Sequence, residues 1–427
     1  MQRFFLLLTA LLLARSAFAA TSDAPAPDTT RLTLPEAEQR FVQNNLALLA
    51  QRYSVTAAEA QIVQARLWDN PTVSIEQNAY NPQTPKVLDV TRTGNTAFQV
   101  QQLFALAGRR KAAATVAQQN ALVEQFTFED LLRNLRYQLR TTFYDLYFKQ
   151  HTIRVYDKEI STFQHTVDQY QSQYDKGNIA LKEVIRLKAF LFQLQNERQA
   201  LLADMATEQA DFQVLLRDNS GTYYRPLAEP NALRALTLGS YTEQQLADTA
   251  LVQRADLKAR QAYAEQQTQN LRLQRALATP DLALGYVYDR AGNYIQNYNA
   301  VTLGLAVPLF NRNQGNIRSA RAQIEGSKAL VDQQQLIVQT DVHQAYQLAR
   351  QTDQLFQGAN RDTGDFDRLI GGIEQSYAKR NLTIVEFLDF YESYKNNLVQ
   401  LNNLRASRVR AFEQLNYAVG RPVFRAE

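Results

Sequence analysis

Hydrophobic residues recur at alternating steps of three and four through Ile153, Tyr156, Ile160, Phe163, Val167, Tyr170 and Tyr174. The same steps run through Val184, Leu187, Leu191, Leu194, Arg198, Leu201 and Met205. A seam sustained this long predicts helix packed on helix in coiled-coil fashion. Proline is absent from 86–225 and from 309–421, so helices can run uninterrupted through both stretches. From Arg109 to Asp175 is 67 residues, about 100 Å as helix at about 1.5 Å per residue. That is a rod rather than part of a globule. In the second stretch Gly364, Gly371 and Gly372 weaken the pattern, which predicts a bend or a fray there.

A second period is two. Leu282, Leu284, Tyr286 and Tyr288 alternate with Ala283, Gly285 and Val287, and Val301, Leu303, Leu305 and Val307 alternate with Thr302, Gly304 and Ala306. These segments have the length and end tyrosines of tilted membrane strands. Periodicity alone fits a small soluble hairpin beside a helical bundle equally well.

The chain is also duplicated. Asn70-Pro71-Thr72-Val73-Ser74-Ile75 aligns with Thr279-Pro280-Asp281-Leu282-Ala283-Leu284 at an offset of 209. Gln102-Leu103-Phe104 aligns with Pro308-Leu309-Phe310 at 206, and Tyr174-Asp175-Lys176-Gly177-Asn178-Ile179 with Tyr377-Ala378-Lys379-Arg380-Asn381-Leu382 at 203. A slowly drifting offset marks one repeated unit, predicted over 31–228 and 229–427. Each unit reads helix, strand, loop, strand, long helix, turn, long helix.

Before the repeats, Arg3, an apolar run from Phe4 to Ala14 and Ala17-Phe18-Ala19 form a signal-peptide pattern over 1–19. The run is too short to span a bilayer as a helix. Residues 20–30, with Pro25 and Pro27 among small polar residues, read as a flexible leader. An exported chain without a later long apolar run must cross any membrane with strands. Four strands per chain cannot close a barrel, and open edges are not tolerated in lipid, so a membrane reading requires oligomerisation.

Composition narrows the chemistry. With 46 Lys+Arg against 42 Asp+Glu the net charge is +4, too small for a dedicated nucleic-acid binder. There is no Cys, which removes disulfides, thiolate metal sites and an N-terminal lipid anchor. His151, His165 and His343 are the three histidines; no two fall at i, i+3 or i, i+4, so no metal ligand set is assigned. No phosphate-binding glycine loop or paired Ser–His motif is present, and no catalytic or cofactor-binding residue is assigned.

The repeated strand–strand–long-hairpin plan resembles the TolC-type outer-membrane efflux factors. Ala306-Val307-Pro308-Leu309-Phe310-Asn311-Arg312-Asn313-Gln314-Gly315 is similar to that family's strand-end pattern. Asn381-Leu382-Thr383-Ile384-Val385-Glu386-Phe387-Leu388-Asp389 resembles the helix-tip motif of its heavy-metal (CzcC-like) branch. The resemblance covers roughly 31–421. It implies a mainly α fold with a small membrane β-barrel portion: a homotrimer with a 12-stranded barrel in the outer membrane above an α-barrel tunnel of long antiparallel coiled-coil helices. Residues near 215–250 and the tail after Gly420 would belt the tunnel. The implied function is the passive exit duct of a tripartite efflux system, fed by a periplasmic adaptor protein and an inner-membrane pump. Metal cations are the implied cargo, with drugs or other small solutes as the alternative. A periplasmic coiled-coil adaptor or spacer is the reading from a different class.

The tips Gly177-Asn178-Ile179 and Arg380-Asn381-Leu382 are then expected to dock the adaptor. Glu386 and Asp389, one turn apart, would ring the periplasmic mouth, and a hydrogen bond from Tyr377 to Glu183, the position aligned with Glu386, would hold it shut. The alternative for the acids is simple helix-dipole stabilisation.

Overall fold

The computed structural model describes residues 29–425, except 240, 293, 360–371, 374, 375, 378 and 380. The predicted signal peptide and Gly364 and Gly371 of the predicted bend lie outside the described residues; Gly372 is described and helical.

The chain opens with β1 (Thr29–Thr33), α1 (Leu34–Asn44) and α2 (Leu46–Arg66). Asn45 separates the two helices, its side-chain oxygen accepting from the N–H groups of Ala47 and Leu48 at 3.0 and 3.1 Å. β2 (Thr72–Gln77), a two-residue ladder of β3 (Tyr80–Asn81) with β4 (Lys86–Val87), and β5 (Thr96–Phe104) follow. Then α3 runs unbroken from Arg109 to Asp175 over 67 residues and returns as α4 (Leu181–Leu216). Gly108, with φ +69°, supplies the left-handed turn into α3.

After β6 (Tyr223–Leu227) and α5 (Pro230–Ala235) come α6 (Glu243–Gln253) and α7 (Ala255–Ala276). β7 (Leu282–Asp289), β8 (Tyr298–Leu305), α8 (Gln314–Ala359) and α9 (Ile384–Val419) complete the chain. The order α2-β2-β5-α3-α4 is thus repeated as α7-β7-β8-α8-α9. The sequence places the last strand through Val307, but its pairing ends at Leu305, opposite Leu282. Pro280 lies just before Leu282 and cannot donate to a ladder, so β7 has no residues to pair further on.

β2, β5, β7 and β8 form one antiparallel sheet in that order. Its register sorts the side chains cleanly. One row across the sheet is Val73, Val100, Tyr286 and Val301, and the next row on that face begins Ile75, Phe98, Tyr288. The opposite face carries Ser74, Gln99, Val287 and Ala300, then Thr72, Gln101, Gly285 and Thr302. The apolar face has no cover: Val73 is 57% exposed, Ile75 70%, Val301 76% and Leu303 71%. β2 and β8 each pair on one side only.

The helices bury two cores at different heights. The upper one gathers Phe143, Leu146, Phe212, Val342, Phe412 and Leu415 with α1 residues such as Phe41. Around it runs a belt of short elements. β1 pairs in parallel with β6, so Thr29 and Thr30, assigned to the leader by sequence, sit opposite Tyr223 and Tyr224. The C-terminal tail is pinned by Asn416, whose Oδ1 accepts from the N–H groups of Val423 and Phe424 at 2.8 Å each and whose Nδ2 donates to the Phe424 carbonyl at 2.7 Å. Buried Arg140 joins three elements, donating to Glu38 at 2.5 Å and to Glu413 at 3.1 Å. The lower core is aromatic: Phe163, Phe190, Phe387 and Tyr391, with Leu187 and Leu194 from the second predicted seam. No described helix is long and apolar enough to cross a membrane.

Candidate gate and docking site at the helix tips

Both long hairpins reverse at the same end of the molecule, below the aromatic core. In the first, Gly177 takes φ +77°, and the Asn178 N–H donates to the Gln173 carbonyl at 2.9 Å. This is a Schellman closure, which needs a left-handed residue that glycine supplies without strain. The Asn178 side chain repeats the link, Nδ2 donating to Gln173 Oε1 at 2.7 Å. In the second, the Asn381 N–H donates to the Ser376 carbonyl at 2.9 Å, the same step of five residues. Arg380, which stands where the first copy has Gly177, lies outside the described residues. Asn178 and Asn381 are exposed, whereas Ile179 and Leu382 are half-buried. Leu382 packs against the lower aromatic core, so its apolar character has a structural use as well.

Tyr377 is buried at this end of the chain. Its ring lies parallel between Tyr170, at 5.3 Å, and Phe387, at 4.0 Å, and is 6% exposed. Its hydroxyl is buried without a hydrogen-bond partner. The bond to Glu183 expected from sequence is therefore not formed within the chain; Glu183 acts on Tyr377 only through its charge. Burial, then the adjacent Tyr170 and the Glu183 carboxylate, push the Tyr377 hydroxyl far above the ordinary tyrosine range. Tyr170, Gln173, Ile179, Glu183, Arg186 and Tyr377 share a cleft of about 850 Å³ between the two tips.

The acids divide by role. Glu386 Oε2 accepts from the Thr383 N–H at 2.8 Å and from its hydroxyl at 2.7 Å, while Thr383 Oγ1 accepts from the Glu386 N–H at 3.3 Å. This capping box holds the Glu386 carboxyl below its usual range. Thr383-x-x-Glu386 is a capping signature readable in the sequence. Asp389 is exposed one turn further on, and Glu183 is half-buried beside the cleft. The cleft thus holds Glu183 and Tyr377 together, while Glu386 and Asp389 stand exposed one turn apart at the start of α9 beside it.

Also unforeseen is a polar chain inside the lower bundle. Lys395, 2% exposed, donates to Glu197 at 2.7 Å, and Glu197 also accepts from the Tyr156 hydroxyl at 3.1 Å. The Tyr391 hydroxyl donates to buried Glu159. The histidines lie apart from the tips or on their outer surface. His343 Nδ1 is 2.7 Å from Glu243 Oε1, His165 is exposed, and the His151 ring lies tilted against Tyr147 with centroids 4.6 Å apart. Among the described residues no group of three His, Cys, Asp or Glu could hold a metal ion.

Residues 246–421 match the family described as Outer membrane efflux protein. The cobalt-zinc-cadmium resistance protein CzcC of Cupriavidus metallidurans is 22% identical over 296 residues, covering 69% of this chain and 67% of that protein. A membrane protein from Pseudomonas aeruginosa superposes with a TM-score of 0.76 at 14% identity, over 91% of this chain and 90% of its own. CusC, whose structures are described in terms of folding and transmembrane channel formation, superposes with a TM-score of 0.73 at 16% identity, over 91% and 92%. Fold, strand faces and sequence therefore agree: the chain carries an outer membrane efflux protein domain and is a distant homologue of CzcC, built on the fold of the outer-membrane channels.

Proposed function

We propose that three copies of this chain form the outer-membrane exit duct of a tripartite efflux system and that its cargo is metal cations. The observation that carries the proposal is the four-stranded sheet with one bare apolar face and two half-paired edges. Such a sheet is untenable in water or alone in lipid, and three copies joined β8 to β2 give a closed ring of 12 strands. A girdle supports the same placement: Trp68 lies edge-on to Phe104 at 5.9 Å beneath Arg110 at 3.4 Å, and Phe310 is 92% exposed. Aromatic and basic side chains of this kind favour a membrane–water boundary.

The α-helical hairpins then descend from the sheet as a tunnel, in which no chemistry is done on the solute. A periplasmic adaptor docks at the tips, where Asn178 and Asn381 are exposed, and an inner-membrane pump supplies the energy. Cleavage after residue 19 would deliver the chain to the outer membrane without a lipid anchor. The two repeats, 31–228 and 229–427, contribute alternate staves. The metal cargo rests on the likeness to CzcC. A strain lacking the gene is expected to lose resistance to cobalt, zinc or cadmium salts and to regain it with the wild-type chain but not with Asn178→Glu, Asn381→Glu. Unchanged metal tolerance in the deletion strain, with new sensitivity to organic drugs, would reassign the cargo.

A further inference from the structure

A pocket of about 250 Å³ lies at the belt between α3, α5 and α9, far along the rod from the tips. Its walls include Tyr147, His151, Arg234, Phe356, Asn402 and Arg405. Two neighbouring arginines on α9 show what is unusual about it. Arg408 is buried and fully engaged: Nε donates to Asp353 at 2.7 Å, Nη1 to the Leu233 carbonyl at 2.9 Å, Nη2 to the Leu236 carbonyl, and the guanidinium covers the Phe356 ring at 4.4 Å. Arg405, one turn earlier, is half-buried and has no hydrogen bond or ion pair with any described residue. Arg234, across the pocket, has none either, nor has Arg154 beside His151.

A half-buried guanidinium such as Arg405, with no counter-ion among the described residues and exposed Arg234 and Arg154 nearby, is unfavourably placed. Burial and Arg234 both pull Arg405 below the ordinary arginine range. Burial, Arg154 and Arg405 together hold His151 down to about 4, so His151 is neutral at physiological pH and does not add to the repulsion. A structural arginine would be paired, as Arg408 is. The remaining walls are apolar or aromatic, with Asn402 already committed through Nδ2 to the Phe148 carbonyl at 2.7 Å and to Thr152 at 2.6 Å.

We propose that this belt pocket binds a small organic acid, its carboxylate held between Arg234 and Arg405 and its apolar body against Phe356 and Tyr147. Arg offers a carboxylate a two-pronged donor, and the volume is below that of a drug-sized site, which selects an acid the size of benzoate. The site does not depend on the cargo assigned to the duct.

Titrating the detergent-purified full-length protein with benzoate tests it. Saturable binding is expected, weakened about tenfold or more in each of Arg405→Met and Arg234→Met, as removal of a charge-assisted pair implies, and unchanged in Arg321→Met on the exposed face of α8. Without ligand, Arg405→Met is expected to melt at or above the wild type, since it removes an uncompensated charge. Cyclohexylamine, of similar size and opposite charge, should not bind. Absence of benzoate binding to the wild type, wild-type affinity in Arg405→Met or in Arg234→Met, or a response to inorganic phosphate as strong as to benzoate would overturn the proposal. Because Arg234 is exposed and unpaired, its variant keeps the test decisive even if Arg405→Met folds poorly.

Discussion

Thr383 and Glu386 cap each other at the start of α9, whereas the positions 203 residues earlier, at the start of α4, hold Ala180 and Glu183. Ala180 has no side chain to accept from the helix, so the duplicated tips have diverged: one glutamate is tied to its own backbone and the other is left facing the cleft. Loss of the cap in Thr383→Ala is expected to speed amide exchange in the first turn of α9 roughly fivefold. Ala180→Thr, which completes the box with Glu183, should slow exchange at the start of α4 by a similar factor. Because the folded Glu386 carboxyl titrates below its unfolded value of 4.5, its contribution is complete above that pH and fades as pH falls through the lower folded value. Hydrogen exchange at pH 7 and pH 4 reads both effects.

Tyr377 combines a stacked ring with an unpartnered hydroxyl. Phenylalanine keeps the stack and removes the buried oxygen, so Tyr377→Phe should leave thermal stability unchanged or raise it by about 1 kcal/mol. Tyr377→Ala opens a cavity between Tyr170 and Phe387 and is expected to cost about 3 to 5 kcal/mol. A marked loss in Tyr377→Phe would mean that the hydroxyl does find Glu183 in the closed assembly.

Lys395 is an ammonium group inside a coiled-coil seam, with Glu197 beside it. Burial opposes the Glu197 charge, but Lys395, Gln193 and Tyr156 outweigh it and hold the carboxyl below its usual range. Glu197→Ala strands the ammonium and is expected to cost about 3 kcal/mol, while Glu197 and Lys395 replaced together by Gln and Met should cost much less. As the folded carboxyl is depressed, the wild type should lose this contribution as pH falls below 4.5, and the double variant should show no such step. Denaturant titrations across pH 3 to 7 check it.

The long helices were legible because a heptad sustained over many turns has one structural solution, and the seam residues Phe163, Val167, Leu187 and Leu194 are indeed the buried ones. The strands were legible in period but not in length, since the end of β8 is set by its partner β7 and not by its own residues. What stayed hidden depends on residues far apart in the chain. Arg140 meets Glu413 across 273 positions, β1 finds β6 across nearly two hundred, and the arginine-lined pocket exists only because residues of α5 and α9 come together. Local rules carry no information about such meetings. The Glu386 cap, by contrast, is written locally, in the spacing of Thr383 and Glu386.

A mouth ringed by Asp389 and Glu386 should favour cations, because acidic rings in a pore do. Reversal potentials in a planar bilayer under a salt gradient are expected to show cation preference in the wild type and a weaker one in Asp389→Asn, Glu386→Gln. Since the second change also removes the α9 cap, Asp389→Asn alone separates selectivity from helix fraying. Identical reversal potentials in all three proteins would leave the acids with a capping role only.

In the proposed trimer the four-stranded sheet is a third of a closed barrel, with β2 of one protomer against β8 of the next. A chain without cysteine allows a direct measurement. Single cysteines are placed pairwise, one among Val73, Ser74 and Ile75 and one among Val301, Thr302 and Leu303, and oxidised in outer-membrane fractions before denaturing electrophoresis. Pairs in one register are expected to give covalent dimers and trimers and nothing larger, while out-of-register pairs give little. Uniformly monomeric protein in every pair, or an open-ended ladder beyond three chains, would contradict it.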